Sequence, residues 1–308
     1  MKETPPGPRH DPGAHEHDAK VTWLRGEASE FENFDSPPPR RRGIRAVPLR
    51  VILPNLVTLL ALCMGLTAIR FAIEGQFETA VVAVIVAAIL DGLDGRLARA
   101  LRGTSRFGAE LDSLADFVAF GVAPALILYT WHLHEIKSFG WFAALVFAIA
   151  AALRLARFNV MIDDPNRPPW QAHFFTGMPA PAGAIVGLLP LYLNFSIFAV
   201  PNVRALVPFE IAYVLIVAFL MASRIPHFSG KRIGRVPREY VIAVLFGIAA
   251  CILLLATFTM EMLIGLTLVY LATIPFAIRR FNAYAAADAA RQANAAAAGA
   301  PPVAQVRK

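Results

Sequence analysis

Residues 79–101 read TAVVAVIVAAILDGLDGRLARAL: uncharged from Thr79 to Leu90, then broken by Asp91, Asp94, Arg96 and Arg99. The stretch matches the roughly 20 apolar residues that a bilayer-spanning helix needs. A strand would leave backbone polar groups unpaired in lipid, so the segment is read as a transmembrane helix. Carboxylates entering such a helix are rare, and they mark this as the place where function is to be sought.

The same character runs through most of the 308-residue chain. It is 57% hydrophobic and 17% charged, against about 45–50% and about 25% in ordinary soluble proteins. The mean hydropathy is +0.55 and the pI is near 9.8. These values exclude a disordered, collagen-like or water-soluble chain. Cys63 and Cys251 each sit in an apolar run, so a disulfide framework is excluded as well. The pattern predicts an all-α, polytopic integral membrane bundle of about eight transmembrane helices. They fall near 51–73, 79–101, 108–131, 140–160, 178–198, 208–224, 237–257 and 261–280.

Lys and Arg set the expected orientation. Arg102 and Arg106, Arg157 and Arg167, then Lys231, Arg232, Arg235 and Arg238 occupy alternate connections, and Arg279 and Arg280 follow the last span. The opposite connections hold little beyond Lys137 and Arg204, with Arg70 near the far end of the first helix. The positive-inside rule then puts both termini and the aspartate end of the bundle in the cytoplasm, as in the inner membrane of a bacterial-type cell. Topology absorbs the basic excess, and no nucleic-acid partner is expected.

Three regions follow. Residues 1–47 are polar, rich in Pro and His, and close on Arg40, Arg41, Arg42 and Arg45, which suits a disordered tail meeting anionic lipid. His10, His15 and His17 have no fold to hold a metal and are read as solvated. Residues 48–282 form the membrane domain, and the Ala-rich 283–308 is read as a disordered tail that could form a frayed helix.

Across the short loop 102–107 the chain continues Gly108-Ala-Glu-Leu-Asp112-Ser-Leu-Ala-Asp116. Asp91 and Asp94 stand three apart, with Gly95 and Ala98 on the same face; Gly108, Asp112 and Asp116 follow at steps of four. The loop makes the helices antiparallel neighbours, and the small residues permit close approach. Four ionised aspartates at mid-membrane would cost about 10–14 kcal/mol without partners, a figure lowered near the interface. Converging hard oxygen ligands with no Cys or His nearby suit Mg²⁺ or Mn²⁺, two per site in the arrangement common for phosphoryl transfer. Arg99, with Arg96 and Arg102, offers charge to phosphate oxygens. Asp–Arg pairs that merely stitch two helices remain the structural alternative, although the acids outnumber the bases.

The spacing Asp-x₂-Asp-Gly-x₂-Ala-Arg-x₈-Gly-x₃-Asp-x₃-Asp, met at every position from Asp91 to Asp116, resembles the signature of the CDP-alcohol phosphatidyltransferase family. The resemblance implies a helical membrane enzyme, a six-helix core here extended by two, that displaces CMP from a CDP-linked donor. It makes Asp91, Asp94, Asp112 and Asp116 metal ligands and Asp116 also the general base. It assigns Gly95, Ala98, Arg99 and Gly108 to the cytidine diphosphate pocket. Asn55 and Thr58, in Pro54-Asn55-Leu-Val-Thr58, resemble the element that helps to hold the nucleotide, though both residue types also cap helices.

Three further motifs lie on the same expected face: Arg154-Leu-Ala-Arg157-Phe158-Asn159, Gly177-Met-Pro179-Ala-Pro181, and Ser223-Arg224-Ile-Pro226-His227. Together they resemble the members of the family that take L-serine as acceptor and CDP-diacylglycerol as donor. Arg154, a turn deeper than Arg157, is the better candidate for the acceptor carboxylate; both could instead snorkel at the membrane boundary. His173 and His227 are read as structural or solvated. A sister transferase using choline, glycerol 3-phosphate or inositol phosphate is the alternative. A secondary transporter is disfavoured, because the intramembrane acids cluster in one half of the chain. The resemblance is compatible with a homodimer, for which composition identifies no interface.

Overall fold

The computed structural model describes residues 49–162, 174–228 and 238–297, and the fold is almost wholly helical. The helices are α1 (Leu49–Ile73), α2 (Phe77–Ala100), α3 (Arg106–Asp116), α4 (Ala123–Trp131) and α5 (Lys137–Ile162). They are followed by α6 (Ala180–Gly187), α7 (Leu189–Phe195), α8 (Val207–Ala222), α9 (Val241–Thr257) and α10 (Thr259–Ala297). Strands β1 (Phe174–Thr176) and β2 (Pro226–Phe228) pair antiparallel, with Phe175 opposite His227. The N-terminal region before Leu49, His173, Arg167 and the Lys231–Arg232–Arg235 group lie outside the described residues.

Among the described residues, five segments are long and apolar enough to cross a membrane: Leu49–Ile73, Arg106–Trp131, Leu133–Met161, Arg204–Ala222 and Thr259–Arg291. The other expected spans take different forms. Helix α2 is as long, but carries Asp91, Asp94, Arg96 and Arg99 in its last ten residues and Glu78 in its first turn. The span expected over 178–198 is broken into α6 and α7 at Leu188, since Pro190 can neither donate to Val186 nor avoid its carbonyl within a continuous helix. Helix α9 has 17 residues, at the lower limit for a span.

Two further differences concern helix continuity. The expected helix 108–131 is interrupted by a π-helical segment, Phe117–Val122, that starts immediately after Asp116. Such widened turns recur at functional sites because they re-aim the side chains around them. Helix α10 runs to Ala297, so the Ala-rich stretch from Ala283, read as a tail that could form a frayed helix, is helical over its described part. Alanine's high helix propensity carries the helix past the apolar stretch.

The core joins α1, α2, the π segment and α4–α8. Small residues bring α1 and α2 together, with Ala68, Ala72, Ala80 and Ala87 at 0–3% exposure. A Cβ at Gly65 would stand 2.8 Å from the Ala119 backbone, so this glycine lets α1 lie directly against the π segment. Larger side chains, among them Phe147, Leu128, Leu191 and Met221, fill the middle. Many large apolar residues point outward, including Leu56, Phe142, Ile149 and Phe219. That inside-out distribution suits hydrocarbon as the solvent.

Candidate active site

The turn between α2 and α3 sets the two acidic stripes against each other. The Gly103 N–H donates to Ala98 O and the Arg102 N–H to Arg99 O, closing α2 with Arg102 left-handed at φ 50°. A side chain at Gly103 would run into the carbonyl of Arg50, so the turn lies directly on the start of α1. Ser105 caps α3, its Oγ accepting from the Gly108 N–H at 3.0 Å.

Asp91, Asp112 and Asp116 converge, one carboxylate oxygen from each lying within 4.8 Å of the others. Asp91 and Asp116 are in hydrogen-bond contact, which for two carboxyl groups requires a shared proton or a cation between them. Each is only partly buried, so the cluster borders an opening rather than a sealed core. The donor set is oxygen alone and fits a hard divalent cation.

Asp94 stands apart from this trio. It is 4% exposed, and Thr58 Oγ1 donates to its Oδ2 at 2.8 Å while also reaching Pro54 O at 3.1 Å. Asp94 remains within electrostatic range of Asp112. Thr58 therefore ties α1 to the acidic end of α2, a role that its motif could equally have filled as a simple cap.

The expected nucleotide residues line the same corner. A Cβ at Gly108 would stand 2.7 Å from Asn55 Oδ1 and 3.1 Å from Ser105 Oγ, so only glycine lets the Asn55 amide lie across α3. The Arg99 guanidinium folds back over Gly95, 3.6 Å from where a Cβ would be. Ala98 is half-buried beside them, and Arg99 itself is exposed.

The two arginines of α5 part company. Arg154 is 9% exposed, lies over the Phe158 ring at 5.2 Å, and is within electrostatic range of Asp91, Asp116 and Tyr270. Arg157 donates to the carbonyls of Ala222 at 2.7 Å and Ser223 at 3.0 Å, closing the end of α8. Asn159 Nδ2 donates to Ser113 Oγ at 2.9 Å and so ties α5 to α3.

Sequence reasoning missed part of this surrounding wall. His227, read as structural or solvated, is 1% exposed on β2 and stacks on Tyr270 with ring centroids 5.9 Å apart. Its Nδ1 hydrogen-bonds the Ile225 carbonyl at 2.8 Å, and burial pushes the ring below the usual His pKa range. Only the pairing of β1 with β2, invisible in two three-residue segments, brings this face of the chain to α10.

The comparisons with known proteins agree with the signature. The family model for CDP-alcohol phosphatidyltransferase matches residues 51–222. A Mycobacterium leprae protein named CDP-diacylglycerol–serine O-phosphatidyltransferase is 45% identical over 243 residues, 78% of each chain. The Mycobacterium tuberculosis H37Rv protein of that name is 42% identical over 240 residues, 77% of this chain and 82% of its own. A Helicobacter pylori relative, again so named, is 35% identical over 196 residues, 63% of this chain and 79% of its own. With the signature met from Asp91 to Asp116 and the family model covering more than half of its length, this chain belongs to the CDP-alcohol phosphatidyltransferase family.

Proposed function

We propose that this protein transfers the phosphatidyl group of CDP-diacylglycerol to the hydroxyl of L-serine, releasing CMP and forming phosphatidylserine. The observation that carries the chemistry is the convergence of Asp91, Asp112 and Asp116 within 4.8 Å. The choice of serine rests on relatives of that name at 42–45% identity.

The serine oxygen attacks the phosphorus that bears the diacylglycerol. The bond from that phosphorus to the CMP oxygen breaks, and CMP leaves with the electron pair. Asp116 accepts the hydroxyl proton and passes it to water. Asp91, Asp94, Asp112 and Asp116 would hold Mg²⁺ or Mn²⁺, two per site, with Asp94 tied back by Thr58. The cations would neutralise charge on the diphosphate and acidify the acceptor hydroxyl. Asn55, Thr58, Gly95, Ala98, Arg99 and Gly108 form the nucleotide corner, and Arg154 takes the acceptor carboxylate. Arg157, committed to the end of α8, serves that wall indirectly.

The protein sits in the membrane with eight passes, α2, the α6–α7 pair and α9 joining the five long spans. Both termini and the aspartate end face the cytoplasm, so serine and CMP exchange with water while the lipid donor enters from the bilayer. A homodimer is compatible with the lipid-exposed faces.

Purified protein given CDP-diacylglycerol and each candidate alcohol in turn tests the reading. CMP release is expected with L-serine. Release with choline, glycerol 3-phosphate or inositol phosphate in its place, or with none, would overturn it.

A further inference from the structure

Four buried side-chain polar atoms lack a hydrogen-bond partner among the described residues, and three of them gather on one wall: His227 Nε2, Thr267 Oγ1 and Tyr270 Oη. Buried polar atoms without partners are uncommon enough that each calls for an explanation. Thr267 is the more unusual because helical threonines ordinarily bond back to a carbonyl one turn earlier. Thr67, Thr130 and Thr259 all do so here, to Cys63, Leu126 and Leu255. Thr267, 0% exposed, does not.

The three atoms belong together. Thr267 and Tyr270 are one turn apart on α10 and share a face. His227 stacks on Tyr270 with the ring planes 14° apart. Tyr270 in turn lies within electrostatic range of Arg154, and Arg154 within that of Asp91 and Asp116. Arg154 is thus in electrostatic range of both the orphaned wall, through Tyr270, and the carboxylate cluster.

The chemistry of His227 narrows what the wall can take. Nδ1 faces a carbonyl, which can only accept, so Nδ1 carries the ring proton and Nε2 presents a bare lone pair. A buried acceptor with no donor calls for an N–H or O–H from outside the protein. Arg154 offers the opposite: a guanidinium that donates no hydrogen bond among the described residues and suits a carboxylate. Tyr270, stacked on the acceptor and in electrostatic range of the donor, links the two, and an α-amino acid zwitterion supplies the complement of both.

We infer that His227 Nε2, with the Tyr270 and Thr267 hydroxyls, binds the ammonium group of the acceptor while Arg154 holds its carboxylate, making this wall the specificity site for an amino-acid alcohol. The inference rests on the proposed use of serine and names the residues that read it. Tyr270 and Thr267 lie beyond the segment that the family model matches, so this chain's last long helix supplies part of acceptor recognition. A quaternary amine has no N–H to give His227, and a neutral polyol leaves Arg154 without its anion.

Steady-state kinetics of His227→Phe and Tyr270→Phe in the full-length protein test this, with the KM for L-serine and that for CDP-diacylglycerol measured separately. At position 227 Phe keeps a ring to stack on Tyr270 but offers no lone pair, and at position 270 it keeps the stacked ring and removes only the hydroxyl. The KM for serine should rise about tenfold or more in each, the effect of one lost hydrogen bond to a charged group, while that for CDP-diacylglycerol stays within twofold. The wild type should prefer L-serine to 3-hydroxypropionate, and His227→Phe should narrow that preference. An unchanged serine KM in both variants, or parallel rises for both substrates with a lowered melting temperature, would overturn the inference. If His227→Phe does not fold, Tyr270→Phe decides alone. A wild type that does not use serine sinks the proposed function itself, a result distinct from wild-type serine use with unaffected variants.

Discussion

The bundle buries charge at both ends, and the two ends treat it differently. At one end His132 meets Glu210, its Nδ1 2.8 and 3.0 Å from the two carboxylate oxygens, with side chains 4% and 12% exposed. His132 closes the helix that Asp116 enters 16 residues earlier, roughly 24 Å away at 1.5 Å per residue. At the other end Asp91, Asp112 and Asp116 crowd within 4.8 Å, with Arg154 as the buried cation in range. The His–Glu pair is closed: each partner answers the other and nothing from outside is needed. The carboxylate trio is open, because its like charges can all ionise only when something from solution joins them. A closed pair holds helices together; an open one binds and reacts.

The sharpest way to break that contrast is at the open end. Asp116→Asn keeps the shape and removes the base, so CMP release should fall at least about a thousandfold, within the range for loss of a positioned general base and ligand. With divalent cations stripped from both proteins, the melting temperature in detergent should hold or rise, since one member of a repelling cluster is gone. Activity within tenfold of wild type would remove Asp116 from the reaction. Asp112→Asn should behave alike.

Chelation tests the same end without mutation. Stripping divalent cations with EDTA should bring activity to background, and Mg²⁺ or Mn²⁺ should restore it. Thermal stability should drop with chelator in the wild type and not in Asp112→Asn, because a ligand that binds only the folded state stabilises it by mass action. Full activity after exhaustive chelation would leave the trio without its cation.

A smaller effect is expected at the corner between α1 and α3. In Gly108→Ala the new methyl would stand 2.7 Å from Asn55 Oδ1, and the amide must move aside. The KM for CDP-diacylglycerol should rise about tenfold, about 1.4 kcal/mol of binding, with the KM for serine little changed. An unaffected donor KM would take Asn55 out of the nucleotide corner.

Much of the open end was legible because its signal is local. Asp91 to Asp116 lie on two helices joined by one short turn, and helical spacing alone brings their stripes together. What spacing could not convey was the division within the stripe: Asp94 accepts from Thr58, on another helix, and is not among the three that converge. The π segment after Asp116 has no sequence marker of its own, and hydropathy reads straight across it. The wall of His227, Thr267 and Tyr270 was least legible, because it depends on β1 meeting β2 about fifty residues further on and on β2 meeting α10. The break at Leu188 follows from Pro190, which a hydropathy window averages away.

The closed end supplies the control and the smallest effect on catalysis. Glu210→Ala strips a buried His132 of its partner and should destabilise the fold by about 2–3 kcal/mol, as for a lost hydrogen bond to a charged group. His132→Ala should cost a similar amount. The double variant should cost clearly less than the sum, because each single change leaves an unanswered polar group that the double change removes. Melting curves of the four proteins in one detergent measure the coupling. CMP release at a temperature where all four are folded should stay within twofold of wild type, since the pair lies a helix length from the carboxylates. Additive melting shifts would show that the two side chains are neighbours without being partners. A large loss of activity with an unaltered melting temperature would mean that the far end takes part in the reaction, and the division between a closed structural pair and an open reactive cluster would fail.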